Sequence, residues 1–172
     1  MPTAAPQPLP TLVDGAVALR AAVPADAPVL LDLLADPAVA EWWGTNTLAS
    51  ITDELHGHFA IEIGSELAGL LECHQETDDV YPSVAFDIFL GTAFQSRGHG
   101  RTSLRLAIDY FVDLGHHRFT IDPAVANEPA IRCYRAVGFQ GVGILREAER
   151  APTGEWRNAL LMDLLARERS LR

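Results

Sequence analysis

Residues 95–101 read QSRGHGR, and at this point one kind of sequence pattern stops and another begins. Ahead of it, residues 83–90 (SVAFDIFL) are rich in β-branched and aromatic side chains and predict a buried strand. Behind it, residues 102–115 (TSLRLAIDYFVDLG) carry apolar side chains at helical spacing and stop at a glycine, predicting a helix from about Arg101 to Leu114. Gly98 and Gly100 therefore sit between a strand and a helix N-terminus. Glycine lets backbone approach a ligand closely, and the free N–H groups of a helix start favour an anion, so the stretch reads as a phosphate cradle. The P-loop pattern GxxxxGK[ST] is absent, and the dinucleotide pattern GxGxxG fails because no third glycine follows.

Working outward, the chain alternates strands and helices without internal repeats. Residues 16–22 (AVALRAA) predict a first strand, and residues 24–43 predict two short helices, because Pro28 and Pro37 suit a first helical turn better than an interior. Residues 48–55 add a further helical turn or two. Residues 58–63 and 67–75 flank Gly64 as a hairpin, followed by the strand before the glycine loop. Residues 117–122 predict a fifth strand ended by Pro123, and residues from Glu128 onward a helix with Ala130, Ile131, Tyr134 and Val137 on one face, ending at Gly138. Two closing strands follow, the second fraying toward a helix. The expectation is a mixed α/β fold of about seven strands, hairpins first and a strand-helix-strand-helix unit later. Residues 1–12, rich in proline, read as a flexible tail before one domain over 13–172.

With 13 basic and 23 acidic side chains among 172 residues, the formal net charge is −10. That balance opposes the counterion release that drives nucleic-acid binding and attracts cationic small molecules, although soluble proteins also carry excess acid for solubility alone. Cys73 and Cys133 have no CxxC spacing, which argues against a disulfide framework or zinc knuckle and fits a cytoplasmic setting. No apolar run approaches a membrane span, and residues 1–10 lack the blocks of a signal peptide. His56 and His58 have a metal-compatible HxH spacing, but no third ligand stands nearby in sequence, so no metal is expected.

What remains around the glycine loop is Q-x-x-G-x-G, formed by Gln95, Gly98 and Gly100, and a second block at residues 120–139, TIDPAVANEPAIRCYRAVGF. Together these resemble the GNAT superfamily of acyl-CoA-dependent N-acyltransferases. With residues 40–44 (AEWWG), the second block is also similar to aminoglycoside 6′-N-acetyltransferases, enzymes associated with antibiotic resistance. The resemblance runs over roughly residues 16–166. It implies a mostly antiparallel central sheet flanked by helices, with a V-shaped splay between the fourth and fifth of the predicted strands. His99 departs from the small or apolar residue that relatives often carry there.

The resemblance also assigns expected roles. Backbone N–H groups of Gln95, Ser96, Arg97, Gly98, His99, Gly100 and Arg101 would bind the pyrophosphate of acetyl-CoA, helped by the two arginines. The edge at Ile88, Phe89 and Leu90 would pair with the pantetheine arm and offer an oxyanion donor, and Asn127 would also contact the cofactor. Tyr134 would be the general acid for the departing thiolate, since a phenol of pKa about 10 lies above a thiol near 8.5; a core tyrosine with a satisfied hydroxyl is the alternative.

Asp87 stands out on the residues alone, because a carboxylate inside an apolar strand needs a partner or a cleft, or must point to solvent. It matches the strand aspartate that would orient the amine and accept its proton. Glu72 and Asp122 join it as expected substrate contacts; Glu72 also heads a run with Glu76, Asp78 and Asp79 that makes either an anionic basin or a solvated turn. Trp42 and Trp43 must point in different directions on a short helix, one into the core and the other onto the acceptor site.

The expected activity is acetyl transfer to the 6′-amine of an aminoglycoside. A protein N-terminus, a polyamine, a siderophore precursor, a longer acyl donor and a non-catalytic acyl-CoA sensor stay open. The expected partner is a cationic small-molecule amine, with no nucleic acid or membrane, on a monomer or homodimer.

Overall fold

The computed structural model describes residues 9–44 and 47–169. Strands β1 (Leu12–Asp14) and β2 (Val17–Ala21) form a hairpin around Gly15, followed by helices α1 (Ala27–Leu34), α2 (Pro37–Trp43) and α3 (Leu48–Glu54). Then come β3 (Phe59–Ile63), β4 (Glu66–Glu76), β5 (Ser83–Leu90), α4 (His99–Asp113), β6 (Arg118–Ile121), α5 (Glu128–Val137), β7 (Gln140–Arg150) and β8 (Trp156–Leu165). The eight strands make one sheet in the order β1-β2-β3-β4-β5-β6-β8-β7. The eighth strand is β1, a three-residue element too short to show an alternating pattern. The expected tail over 1–12 falls outside the described residues up to position 8; Leu9 packs against the core and Leu12 already pairs with Leu19.

Every described strand pair is antiparallel except β5 with β6. That parallel pairing covers only Ser83 to Ala85 against Arg118 to Thr120. Beyond Ala85, β5 continues alongside β4 alone, while β6 turns away with β8. The sheet thus opens where the sequence expectation put the splay, between the fourth and fifth predicted strands.

The two faces of the sheet are buried separately. On one, α4 covers Phe59, Leu71, Phe86 and Phe119 with its own Leu104, Ile108 and Phe111, all essentially without exposed surface. On the other, Leu30 and Leu34 of α1, Val39 of α2 and Ile51 of α3 pack on Leu70 and Phe89. The period of two in β5 sends Val84 and Phe86 to the first face and Phe89 to the second, so Asp87 belongs to the face of α1 to α3. The chain enters α1 under a fixed angle, because Arg20 bonds both Asp26 oxygens (2.8 Å each) and Glu62 (2.7 Å). Burial pushes the Asp26 carboxyl upward, but the bonds from Arg20 and the Val23 N–H outweigh it and hold the group below its usual range.

Gly69 of β4 pairs with Leu90 of β5, and a Cβ there would collide with the Phe89 carbonyl oxygen. Because that contact is backbone, it cannot be relieved by a rotamer change. Gly69→Ala is therefore expected to lower unfolding free energy by about 3 kcal/mol in a urea titration. Gly143→Ala, with nothing within 4 Å of the new methyl, should stay within about 0.5 kcal/mol.

Candidate active site

The opening of the sheet is occupied by a cavity of about 500 Å³, walled by α2, the end of β5, the glycine loop and α5. Gln95, Ser96, Gly98, His99, Gly100 and Arg101 line it, as do Ile88, Phe89, Leu90, Asn127 and Tyr134. Of the expected cofactor contacts, only Arg97 does not line it; its side chain is exposed on the loop. The structure adds Arg132 and Cys133 of α5 to the lining, which no local motif signals.

The loop is shaped by its own sequence. Gln95 donates its side-chain N–H to the Leu90 carbonyl (2.8 Å), closing the loop on the end of β5. Gly98, at φ +84°, is the N-cap of α4 in a left-handed conformation that disfavours other residues. The helix starts at His99, earlier than periodicity suggested, so Gly100 lies within its first turn. A Cβ on Gly100 would make only ordinary contacts with Leu90 (3.7 Å) and Cys133 (3.9 Å), so the protein's own packing does not demand glycine there. The missing side chain instead leaves the first turn of a fifteen-residue helix open to the cavity, which suits close approach by an anionic group. Arg101 and Arg132 add positive charge beside it. These features fit a pyrophosphate-bearing cofactor.

A second cavity, of about 210 Å³, adjoins the first and shares Trp42, Trp43, Ile88, Asn127 and Tyr134 with it. It is lined in addition by Asp87, Asp122, Pro123 and Glu149. Carboxylates from β5, from the end of β6 and from β7 thus meet in one space. Burial, then the charges of Asp87 and Glu149, push the Asp122 carboxyl upward. Glu149 was not expected from sequence; it reaches the site because β7 returns beside β8, and Arg157 of β8 holds it at 2.6 Å. Arg157 also donates to the Glu41 carbonyl (3.0 Å) and lies 5.1 Å over the Trp42 ring, joining α2 to the β7–β8 hairpin.

The tryptophans divide the work differently from the expectation. Both line both cavities, and Trp43 also packs edge-on against Phe89 at 4.9 Å, so neither is purely a core residue. Tyr134 is buried at the junction of the two cavities. Burial, then the neighbouring Cys133, Asp87 and Asp122, drive its phenol far above the ordinary value, so it stays protonated throughout the working pH range. Asn127 caps α5, its side-chain oxygen accepting the Ala130 N–H (3.2 Å).

Glu72 is the cross-strand neighbour of Asp87, yet it does not line the second cavity. Its companions in the acidic run do not converge there either. Glu76 accepts the Asp78 N–H (3.0 Å) and Asp78 accepts the Val80 N–H (2.8 Å), so these acids satisfy their own turn.

The expectation that His58 has no third ligand nearby is corrected, because β4 brings Glu72 and His74 to it, with ligand atoms all within 4.8 Å. His56 is not among them. The tautomer argues against a metal: His58 Nδ1 accepts the Cys73 N–H (3.0 Å), so in the neutral ring Nε2 carries the proton and has no lone pair to give.

Among the described residues no helix is long and apolar enough to cross a membrane. The chain is 32% identical over 99 residues to the spermidine N1-acetyltransferase of Vibrio cholerae serotype O1, a match over 56% of this chain and 57% of the relative. The chain thus spans little more than half the length of that curated relative. In three dimensions it resembles Mycobacterium smegmatis RimJ in complex with CoA-disulfide, at TM-score 0.78 and 25% identity, over 88% of this chain and 83% of that one. It also resembles, in fold, the Vibrio cholerae spermidine N-acetyltransferase in complex with CoA and spermine, at TM-score 0.76 and 23% identity, over 89% and 97% of the two chains. The family model for the GNAT acetyltransferases matches residues 25–139, which contain β3 to β6 with the opening between β5 and β6, the glycine loop and the capped helix of Tyr134. The chain belongs to the acetyltransferase (GNAT) family, whose members transfer acetyl groups from acetyl-CoA.

Proposed function

We propose that this protein is an acetyl-CoA-dependent N-acetyltransferase whose acceptor is a primary amine of a small polycation, a polyamine of the spermidine class first. The observation that carries the acceptor class is the meeting of Asp87, Asp122 and Glu149 in a cavity that joins the larger one at Tyr134. A carboxylate 4 Å from an ammonium contributes about 4 kcal/mol of attraction at an effective dielectric near 20, so Asp87 and Asp122, with Glu149 already paired to Arg157, select for positive charge. The tryptophan walls add faces on which a cationic methylene chain can lie. The aminoglycoside 6′-amine has the same charge character and remains the second reading, supported by Asp87 on its strand. The small volume of the second cavity, about 210 Å³, and the likeness to a spermidine N1-acetyltransferase favour the linear amine.

When bound, acetyl-CoA supplies an acetyl thioester. The first-turn N–H groups of α4, with Arg101, hold the pyrophosphate, and the edge of β5 beyond Ala85 offers its backbone to the pantetheine amides. Asp87 orients the ammonium toward the junction of the cavities. A backbone N–H on the same edge stabilises the oxyanion. Tyr134, held neutral by its burial, donates its proton to the leaving sulfur.

Thiol release from acetyl-CoA, followed with spermidine, a kanamycin-type aminoglycoside and an N-terminal peptide, tests the acceptor. Spermidine should give the highest kcat/KM. Preference for the peptide would overturn the small-polycation reading, and bound acetyl-CoA with no thiol released by any amine would favour a sensor.

Tyr134→Phe is expected to lower kcat about 100-fold while acetyl-CoA affinity, measured by calorimetry, changes less than about twofold. Asp87→Asn should lower kcat and raise KM for the amine, and unchanged kinetics in either variant would remove that residue from the reaction.

Gly100→Ala replaces glycine inside a helix, a change worth up to about 1 kcal/mol of added stability. Its new methyl enters the cavity, so acetyl-CoA should bind at least about tenfold more weakly with no loss of melting temperature. Undiminished binding would mean the phosphates lie elsewhere.

A further inference from the structure

The carboxylates that attract a cationic amine create a problem for the reaction. An alkylammonium, with a pKa of about 10.4, must lose a proton before its nitrogen can attack, and neighbouring anions hold that proton more tightly. Carboxylates as a class are about six units less basic than the amine, whereas an imidazole is about four. A histidine in contact with the cavity's carboxylates is therefore the better proton sink, and one is present.

His74 of β4 points its Nε2 at Glu72 Oε2 (3.3 Å) and at Asp87 Oδ2 (3.5 Å). Asp87 lines the acceptor cavity and His74 does not, so the imidazole lies behind the carboxylate. The His74 side chain is 52% exposed, which gives it direct exchange with water. The titratable groups facing it come from each neighbouring element: Glu72 from its own strand, Asp87 from β5 and His58 from the turn before β3. The His58 ring stands edge-on to His74 at 5.2 Å, fixed by the bond from the Cys73 N–H. Burial, then the charge of His74, pushes His58 downward, so it stays neutral and His74 is the histidine that titrates. His74 itself is raised from its ordinary value, first by its bond to Asp87, against a smaller opposing effect of burial.

We infer that His74 is a positioning and proton-relay residue that works through Asp87, taking the proton of the acceptor ammonium and passing it to water. The inference rests on the proposed acetyl transfer to a cationic amine. In the step, an N–H bond of the ammonium breaks and its electron pair stays on nitrogen as the nucleophile. The proton crosses the Asp87 carboxylate to the lone pair of His74 Nε2, converting the neutral imidazole, whose own proton is on Nδ1, to imidazolium; exchange of the half-exposed ring with solvent then removes one proton and restores that tautomer. The other proton lost by nitrogen replaces the one Tyr134 gives to sulfur, so each turnover releases one proton to solution.

His74 must be neutral to accept, so activity should rise with pH through a value above the ordinary 6.5 and fall on the acid side. The test is the pH profile of kcat/KM for spermidine in the wild type and in His74→Gln, whose amide keeps the bond to the carboxylates and cannot take a proton. The expected result is a loss of about 100-fold near neutral pH, disappearance of the acid limb, and unchanged acetyl-CoA affinity and melting temperature. Added imidazole should restore part of the activity of His74→Ala, which a purely structural role would not allow. An acid limb that persists in His74→Gln, or absence of rescue in a folded His74→Ala, overturns the relay while leaving acetyl transfer intact. A wild type that acetylates no amine overturns the proposed function, and the relay with it.

Discussion

The architecture depends on how little of β5 is paired to β6. Three residues, Ser83 to Ala85, hold the two halves of the sheet together in parallel, and beyond them the strands part. A buried backbone N–H or carbonyl left without a partner costs about 1–3 kcal/mol, so the outer edge of Phe86 to Leu90 must face either water or something that bonds it. The fold resolves this by making that edge the wall of a large cavity and closing its far end with the first turn of α4. In the proposed reading, cofactor site and strand opening are thus one feature, with the helix dipole and glycine loop at its mouth.

The second cavity follows from the first. Once β6 leaves β5, the chain at Asp122 and Pro123 is free to turn across the opening, and α5 begins immediately after it with Asn127 as its cap. Tyr134 comes one helical face further along and arrives buried between the two spaces. Asp87 approaches from the other side, because the strand alternation that buries Phe86 against α4 turns its neighbour the opposite way. The same alternation on β4 sets Glu72 and His74 beside it. The larger cavity, the acidic second cavity and a titratable imidazole are in this way gathered around β5.

Much of this could be read from local pattern. The strand before the loop, the glycine pair, the helix ended by Gly115 and the capped helix of Tyr134 each rest on residues close in sequence, and local geometry decides them. Asp87, which lines the second cavity, stood out in the sequence because a charge inside an otherwise apolar strand needs a partner, a cleft or solvent. The three-residue β1 was not, since alternation cannot be detected over so short a span. The HxH pair misled for a related reason: spacing suggested His56 as the companion of His58, whereas its true neighbours sit on the adjacent strand.

By itself the sequence determined the elements other than β1, their order, and the motifs that identify a GNAT acetyltransferase, because those depend on backbone propensity and on side chains a few positions apart. Only the tertiary structure decided which carboxylates share a cavity. Glu149 enters it through the return of β7 beside β8, while Glu72, of the same chemistry and opposite Asp87, stays behind it. A strand's period of two tells which face a side chain takes; what stands next to it there is set by register and by the crossing of distant strands.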